Sequence, residues 1–274
     1  MTSPILSVIE QQTRWATNNG FETKNAYVMS LANNLRQEMS SEALRDFERA
    51  SGRELRQRGI RPPRMQALRS SSALSVNVFD YWRNRDPRPL QRAFGLRDRI
   101  TKVTFEKSFP TGLNTNPPNV DVMLTLEGNR HIAIDSKFTE WLTPRDRTID
   151  ERYFADDSKL LWSSAKLPRC QSLALRFRDS TPFKFLDAPQ LLKHALGIGQ
   201  TKRGRHELWY MYFDWNCPES EVHAMELRRF SSLVGSEIRF RAMTYQELFK
   251  RLARTVTPRD AAYMDYLTGR YTEA

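Results

Sequence analysis

Two aspartates and one lysine lie in a short segment where their types and spacing could support metal-assisted hydrolysis. Asp135 and Lys137 are two residues apart within an apolar run, and Asp121 lies in the run before it. Because residues two apart on a β-strand point to the same side of a sheet, Asp135 and Lys137 would share one face. Carboxylates that hold a cation, beside an ammonium group that orients water, are suited to the hydrolysis of a charged ester.

The apolar pattern indicates how the two runs pair. With a three-residue loop over residues 127–129, apolar residues of the two runs face each other. The facing pairs are Val122 with Ile134 and Leu124 with Ile132. This register also places Asp121 opposite Asp135, with Lys137 on the same face. A two-residue loop would instead put Val122 opposite Asp135 and bury a charge in the apolar face, at a large cost in free energy.

Two close carboxylates repel each other, and a cation bound between them offsets that repulsion. Mg²⁺ prefers one or two carboxylates together with water and phosphate oxygens. The cluster therefore predicts a Mg²⁺ site, with Mn²⁺ as a substitute, in which Asp121 and Asp135 are the metal ligands. Such an ion lowers the pKa of a bound water molecule. Lys137 would position or deprotonate that water, or stabilise charge on the phosphate.

The segments before and within this hairpin predict the elements that position the cluster. A serine run at residues 70–72 can cap a helix that ends before Pro87 and has apolar residues at helical spacing (Leu74, Val78 and Trp82). From residue 100 the apolar period changes to two. This pattern predicts three antiparallel strands over residues 100–107, 120–126 and 131–138.

The second half of the chain predicts further helices and strands after an irregular stretch over residues 141–186. They are a helix from Asp187 that ends at Gly197 and Gly199, a buried strand over 208–215, a helix capped by Ser220, a strand over 237–243, a helix capped by Thr244, and a helix from Thr257 to Gly269. The order predicts an α/β fold with a mixed central sheet flanked by helices.

The N-terminal part predicts a separate helical region. Residues 4–51 carry apolar residues at helical spacing, with Gly20 and Gly52 as helix ends: Ile5, Val8 and Ile9, then Val28, Leu31 and Leu35, then Leu44 and Phe47. Residues 53–69 have no periodicity and form a basic connector. We therefore divide the chain into an N-terminal region with its connector, residues 1–69, and a domain that carries the cluster, residues 70–274.

The positive charge of the chain is concentrated in one region. The net charge is +11, and the stretch from Arg53 to Arg99 contains twelve arginines, no lysine and four acids, which gives 12 − 4 = +8. Guanidinium groups suit bidentate phosphate contacts, so the stretch predicts a nucleic-acid partner, with Arg58, Arg61, Arg64 and Arg69 as DNA-binding candidates. The alternative is a solvated positive face. In that case the candidates are Arg145, Arg147, Lys202, Arg203 and Arg205.

The cysteines and the apolar segments indicate in which cellular compartment we expect the protein. Cys170 and Cys217 are far apart and have no CxxC neighbour, so neither a disulfide framework nor a zinc site is indicated. The first fifteen residues lack the pattern of an export signal, and no segment approaches the apolar length of a membrane span. We expect a cytoplasmic protein with no membrane partner.

At the hairpin residues, the sequence resembles the PD-(D/E)xK phosphodiesterase superfamily, the class of many restriction endonucleases. The resemblance covers roughly residues 70–255, with Asp121 in place of the first acid and Asp135 and Lys137 in place of the second acid and the lysine. It implies a restriction endonuclease-like αβββαβ core and hydrolysis of the DNA backbone with one or two metal ions. One departure is that the proline pair, residues 117–118, does not directly precede Asp121.

The sequence offers further candidate members of this site. The superfamily often has an acid on the helix before the strands, but the helix from Ser70 to Trp82 offers no glutamate, so Glu106 is taken as a substitute catalytic acid. Glu140 and Gln190 are auxiliary candidates. His194 is interpreted as a helix-face residue. The aromatic residues Trp209, Tyr210, Tyr212 and Trp215 are interpreted as core, although such rings can also stack on bases.

Together these features favour a Mg²⁺-dependent endodeoxyribonuclease of the type II restriction class that cuts double-stranded DNA. A homodimer would cut both strands, and the sequence does not define the oligomeric state. A repair or mobile-element nuclease of the same fold is an alternative. Outside enzymes, the alternative is a DNA-binding module without activity, which the complete Asp, Asp, Lys set disfavours. A basic RNA-binding protein is disfavoured because neither an RRM-like aromatic pair nor a dsRBD signature is present.

Overall fold

A computed structural model describes residues 3–50, 52–113, 117–154, 161–201 and 205–272 of the chain. In chain order, the helices and strands are α1 (Pro4–Asn18), β1 (Thr23–Lys24), β2 (Tyr27–Val28), α2 (Ser41–Ala50), α3 (Ser71–Phe79), α4 (Arg88–Ala93), β3 (Ile100–Ser108), β4 (Asn119–Leu126), β5 (Arg130–Lys137), α5 (Leu161–Ser164), α6 (Pro168–Arg176), α7 (Ala188–Gln200), β6 (Arg205–Tyr212), α8 (Pro218–Val234), β7 (Arg239–Thr244), α9 (Tyr245–Ala253) and α10 (Ala261–Tyr271). None of these helices is long and apolar enough to cross a bilayer.

A mixed sheet in the order β3-β4-β5-β6-β7 lies at the centre of the fold. β3, β4 and β5 pair antiparallel, whereas β5, β6 and β7 pair parallel. One face of the sheet packs against α3, α9 and α10, and the other packs against α6, α7 and α8. The predicted α/β class, with a mixed sheet flanked by helices, is confirmed.

The register of the central hairpin follows from its apolar face. Val122 pairs with Ile134 and Leu124 with Ile132, and the two strands are joined by a three-residue turn, Glu127–Asn129. All four paired side chains are buried in the cluster that contains α3. The predicted loop length and register are therefore confirmed, because the alternative register would have placed Asp135 on this apolar face.

Helix α3 passes beneath the β4–β5 hairpin and is buried along most of its length. The hydroxyl of Ser70 accepts a hydrogen bond from the main-chain N–H of Ala73, as expected of an N-cap. Residues 72–79 are all buried, so α3 lies inside the fold with protein on every side. The helix ends in a single 3₁₀ turn, Asp80–Trp82, before Pro87.

The N-terminal region is not the continuous helical segment that the spacing predicted. Between α1 and α2 the chain forms the β1–β2 hairpin and a 3₁₀ turn, Leu31–Asn34. Asn25 and Ala26 both adopt left-handed backbone angles, with φ of 52° and 63°, which makes a tight two-residue hairpin turn. Val28 and Leu35 are buried without belonging to a helix, and Leu44 of α2 is 40% exposed.

The glycines of α7 serve close packing and do not end the helix. We predicted a stop at Gly197 and Gly199, but α7 continues to Gln200. A Cβ at Gly197 would lie 2.5 Å from the carbonyl oxygen of Phe109, so only glycine lets the helix approach this segment. Gly269, predicted to end the last helix, also lies inside its helix, since α10 continues to Tyr271.

Two further predictions differ from the structure, and a third, the domain boundary, is not tested by it. The stretch expected to be irregular contains α5 and α6, the latter begun by Pro168 in the first helical turn. Ser220 is the third residue of α8, whose N-cap is Cys217. The boundary at residue 69 does not coincide with a gap in packing, since the ring of Phe47 stacks on Phe105 of β3 with centroids 5.5 Å apart. That boundary stays a prediction.

Candidate active site

The end of the β4–β5 ladder brings the three predicted cluster residues together. The last paired position is Val122 with Ile134. Beyond it, the main-chain N–H of Ser136 donates to Oδ2 of Asp121 at 2.6 Å. On β5, Nζ of Lys137 lies 2.8 Å from Oδ1 of Asp135. Two carboxylates and one ammonium group therefore meet where the two strands separate.

Burial and charge set the protonation of this cluster. Burial alone would raise the pKa of Asp135, but the charge of Lys137 and the contact with His194 outweigh it and lower that pKa to about 2. Burial raises the pKa of Asp121 well above its usual value, and the negative charges of Asp135 and Glu106 add to the rise although Lys137 opposes it. One carboxylate is thus held ionised, and the other favours a proton as long as no further cation is near.

Lys137 keeps its charge in a largely enclosed position. Its side chain is only 12% exposed, and burial disfavours the ammonium form. The carboxylates of Asp135, Asp121 and Glu140 reverse that effect, so the pKa of Lys137 lies above its usual value. Lys137 is therefore a permanent cation at neutral pH.

One oxygen of the cluster has no partner. Oδ2 of Asp135 is buried and accepts no hydrogen bond. A buried carboxylate oxygen without a partner is costly, and a cation is the ligand that satisfies it best. Two carboxylates match the protein share of a Mg²⁺ shell, whose other positions belong to water and phosphate. Within the described parts of the chain, no three His, Cys, Asp or Glu residues form a complete metal cage. The residues present thus fit a Mg²⁺ ion held by Asp121 and Asp135.

Glu106 lies on β3 beside this pair. Its neighbours Phe105 and Lys107 pair with Val122 and Val120, so Glu106 is opposite Asp121. Its φ of +47° is unusual for a non-glycine residue within a strand, and such strain concentrates at functional sites. Burial raises the pKa of Glu106 to about 7, although a hydrogen bond from Asn119 opposes the rise.

Glu140 and Gln190 lie at a cleft of about 150 Å³ next to Lys137. Oε2 of Glu140 accepts the main-chain N–H groups of Phe138 and Thr139, at 2.7 and 3.0 Å, so Glu140 fixes the chain after β5. Gln190 lines the cleft from the first turn of α7. Arg145 and Arg147 also line the cleft, where Arg147 pairs with Asp187 at 2.9 Å and Arg145 is exposed.

His194, interpreted from the sequence as a helix-face residue, lies on α7 and contacts Asp135 of the candidate site. It is fully buried, and its Nε2 lies 3.5 Å from Oδ1 of Asp135. Neither ring nitrogen has a hydrogen-bond partner. His194 follows Gln190 by four residues on α7, and this i, i+4 spacing could have placed both on the face that meets the sheet.

Glu54 also comes close to the site, and no sequence signal indicated it. Its Oε2 accepts a hydrogen bond from the hydroxyl of Ser72 on α3 at 3.2 Å, and its charge adds to the raised pKa of Glu106. Helix α3 has no glutamate of its own, so the connector supplies the carboxylate near it. The contact joins residues eighteen apart through a loop, which periodicity cannot reveal.

The basic stretch divides into exposed and paired arginines. Arg58, Arg61, Arg64 and Arg69 are all exposed. Arg83 of the same stretch is only 7% exposed and pairs with Asp46 and Asp80, so the charge count overstates the free cations there. Of the alternative arginines, those at 145 and 147 line the cleft. Lys202 and Arg203 lie outside the described residues, as does the side chain of Arg205.

The fold and the cluster together define the class: an α/β protein with two aspartates and a lysine clustered at the end of the central hairpin of a mixed sheet. The family model described as Restriction Endonuclease associating with ARP matches residues 6–272, so the chain belongs to this family. The membership confirms the resemblance to restriction endonuclease-like proteins drawn from the sequence, and it indicates a nuclease. Comparisons with curated proteins and with solved structures find no significant match.

Proposed function

We propose that the chain is a Mg²⁺-dependent endodeoxyribonuclease of the PD-(D/E)xK superfamily, with the restriction endonuclease-like αβββαβ core. The observation that carries this proposal is the buried Asp135, which is paired with Lys137 through one oxygen and has no partner for the other. A structural ion pair has no use for that second oxygen, whereas a metal site does. Family membership supports a nuclease independently of this geometry.

The chain's own residues have distinct roles in this proposal. A bound Mg²⁺ would supply a water of lowered pKa and neutralise charge on the scissile phosphate. Lys137, whose raised pKa keeps it charged, stabilises negative charge on the phosphate as it develops and does not act as the base. Glu106, a buried carboxylate opposite Asp121, is the proposed proton acceptor. Asp135 holds the Lys137 ammonium group in position.

The proposed substrate is double-stranded DNA. Support comes from the exposed arginines of the connector and from Arg145, which is exposed at the cleft beside Lys137. One site cuts one strand, so a homodimer would be needed to cut both strands in one event. The free thiols of Cys170 and Cys217 are compatible with a cytoplasmic setting.

Two alternatives are distinguished by the DNA that is cut. A type II restriction enzyme cleaves at one short sequence, whereas a repair or mobile-element nuclease selects damaged, branched or element-specific DNA. A DNA-binding module without activity would cut neither. The paired Asp135 and Lys137 and the facing Asp121 disfavour that last possibility, because an inactive module has no use for so costly a buried cluster.

The test is to incubate the purified protein with supercoiled plasmid and genomic DNA, with Mg²⁺ or with EDTA, and to sequence the ends produced. We expect Mg²⁺-dependent ends at defined positions and no ends in EDTA. Asp135→Asn, which keeps the size of the side chain, should abolish them. Glu151→Gln, an exposed carboxylate paired with Arg178, is the matched control and should cut normally. Cleavage by Asp135→Asn at the wild-type rate would refute the site.

A further inference from the structure

The tip of the connector carries a fully exposed apolar side chain. Ile60 is 98% exposed, the highest value among the large apolar side chains of the described ranges. It lies in a two-residue turn with Gly59, whose φ is +57°. Arg58 and Arg61 close this turn with two reciprocal main-chain hydrogen bonds of 3.0 Å each. The turn is a small β-hairpin with an isoleucine at its tip and an arginine on each side.

The base of this hairpin is fixed next to the candidate active site. The main-chain N–H of Met65 donates to the carbonyl oxygen of Glu54 at 3.0 Å, and Met65 is buried in the main core. The side chain of Glu54 contacts Ser72 of α3, the helix beneath β4 and β5. The connector therefore leaves and re-enters the fold near Glu106, and between these points it presents its tip to solvent.

The charges around Ile60 indicate the chemistry of what it meets. Residues 55–69 contain five arginines and no acid. An apolar surface on another protein would offer no anion to Arg58 and Arg61, whereas a duplex offers phosphates outside and apolar base stacks inside. A single exposed isoleucine is unremarkable by itself. Its position between two arginines, on a turn whose base lies beside the site, is what selects DNA.

A groove of about 660 Å³ adjoins the hairpin and could receive the neighbouring DNA backbone. It lies between the tip and the β1–β2 hairpin, and its polar and charged lining includes Lys24, Asn25, Tyr27, Arg61 and Arg69. The three cations can contact phosphates, and the amide and phenol groups can donate hydrogen bonds to them. The apolar tip and the basic groove thus form one continuous surface.

We propose that the Arg58–Arg61 hairpin is a DNA wedge. Ile60 enters a base step of the duplex from the minor groove, while Arg58 and Arg61 contact the phosphates on either side. The insertion unstacks that step and kinks and unwinds the duplex beside the cluster of Asp121 and Asp135. This inference rests on the proposal that DNA is the substrate, but it concerns binding and not cleavage.

The test uses the unwinding that insertion causes, which can be measured without knowing the recognition sequence. Wild-type protein at saturating concentration is bound to plasmid in EDTA, the plasmid is relaxed by a metal-independent topoisomerase, and the linking number is read after protein removal. We expect wild type to shift the linking number. Ile60→Ala should abolish most of that shift at equal occupancy, with affinity weakened on the order of tenfold. Ile60→Leu should retain the shift.

One control variant and a comparison with cleavage separate this inference from the nuclease proposal. Leu6→Ala removes an exposed aliphatic side chain from α1 and should leave the shift unchanged. A wild-type shift in Ile60→Ala, or no shift by saturating wild-type protein, would overturn the wedge, and so would a failure of the wild type to bind the plasmid. If the protein unwinds DNA but never cuts it with Mg²⁺, the nuclease proposal fails and the wedge stands. If it cuts without unwinding, the reverse holds.

Discussion

The carboxylate of Asp121 accepts the main-chain N–H of Ser136 at 2.6 Å, two residues past the last β5 residue paired with β4. The side chain thus takes up a donor that strand pairing leaves free where the strands separate. The same bond fixes Asp121 relative to Asp135, the neighbour of Ser136 on β5. The geometry of the carboxylate pair is therefore set by the backbone of one hairpin.

Removal of the lysine charge should stop catalysis and spare the fold. Lys137→Met keeps the apolar stem but leaves Asp135 with its contact to His194 alone. We expect cleavage to fall on the order of 100- to 1,000-fold, because a preorganised charge at the phosphate is lost. Plasmid nicking measures the rate, and gel shift measures DNA affinity, which should change little.

Lys137→Ala should lose as much activity and also unfold more easily, since the buried carboxylate loses the ion pair and the core loses the packing of the lysine stem. Thermal unfolding by circular dichroism separates the two variants, and Glu151→Gln provides the unaltered reference. Full activity in either lysine variant would remove Lys137 from the site.

Exchange of the divalent ion should separate binding from cutting. Ca²⁺ occupies carboxylate oxygen sites with looser geometry than Mg²⁺ and activates water less. With Asp121 and Asp135 as ligands, we expect Ca²⁺ to support DNA binding without cleavage and excess EDTA to abolish cleavage. Binding is followed by fluorescence anisotropy on a labelled duplex and cleavage on the same duplex by gel. Undiminished cleavage in EDTA would rule out the metal.

The central hairpin could be predicted from sequence because a single choice decided it. Only the three-residue loop keeps the paired residues of β4 and β5 apolar, and the same register brings Asp121 to Asp135. Glu54 could not be assigned in this way, and for His194 the helical spacing from Gln190 gives the helix face but not the contact with Asp135. Their contacts depend on how α7 and the connector pack on the sheet, which no local period encodes.

The N-terminal region shows why a helical period can mislead. Val28, Leu31 and Leu35 fit helical spacing, but the β1–β2 turn uses two left-handed residues that are not glycine. Asn25 tolerates this conformation, whereas Ala26 gives no sequence signal for it. At Gly197 we predicted a helix end where the helix continues. Glycine often ends helices, but here it allows a close contact with Phe109.

Stability should fall in acid through His223. This histidine stacks on Trp141 with centroids 4.4 Å apart, and its Nε2 lies 3.0 Å from the hydroxyl of Tyr210. Burial lowers the pKa of His223 from 6.5 to about 3. Between these values the unfolded chain binds a proton that the folded chain does not. Above pH 6.5 this difference in proton binding does not affect the free energy of unfolding. As the pH falls from 6.5 towards 3 the free energy of unfolding decreases, by about 2 kcal/mol at pH 5.

His223→Gln keeps an acceptor for Tyr210 and removes this titration. We expect the loss of unfolding free energy between pH 7 and pH 5, measured by urea denaturation, to be about 2 kcal/mol smaller in the variant than in wild type. Comparison of the two differences cancels any change in baseline stability. Equal losses in the two proteins would show that His223 does not titrate in the unfolded chain alone.

The exposed arginines of the connector should account for much of the salt dependence of DNA binding. Each phosphate contact that is lost flattens the slope of log K against log[salt] by roughly 0.9. Arg58, Arg61 and Arg64 are all exposed, although Arg64 lies 3.6 Å from Glu54 and is partly engaged. Their joint replacement by alanine should flatten the slope by about 2 to 3 units, and the rate of Mg²⁺-dependent cutting of bound DNA should change little. Anisotropy titrations at four salt concentrations give the slope. A triple variant of Arg176, Arg254 and Arg259 removes the same charge from other exposed positions and should keep the wild-type slope.

A wild-type slope in the connector variant would contradict this prediction. The connector arginines would then be a solvated face, and other cations would have to hold the phosphates. Arg145 and Arg147 at the cleft beside Lys137 would be the next residues to replace.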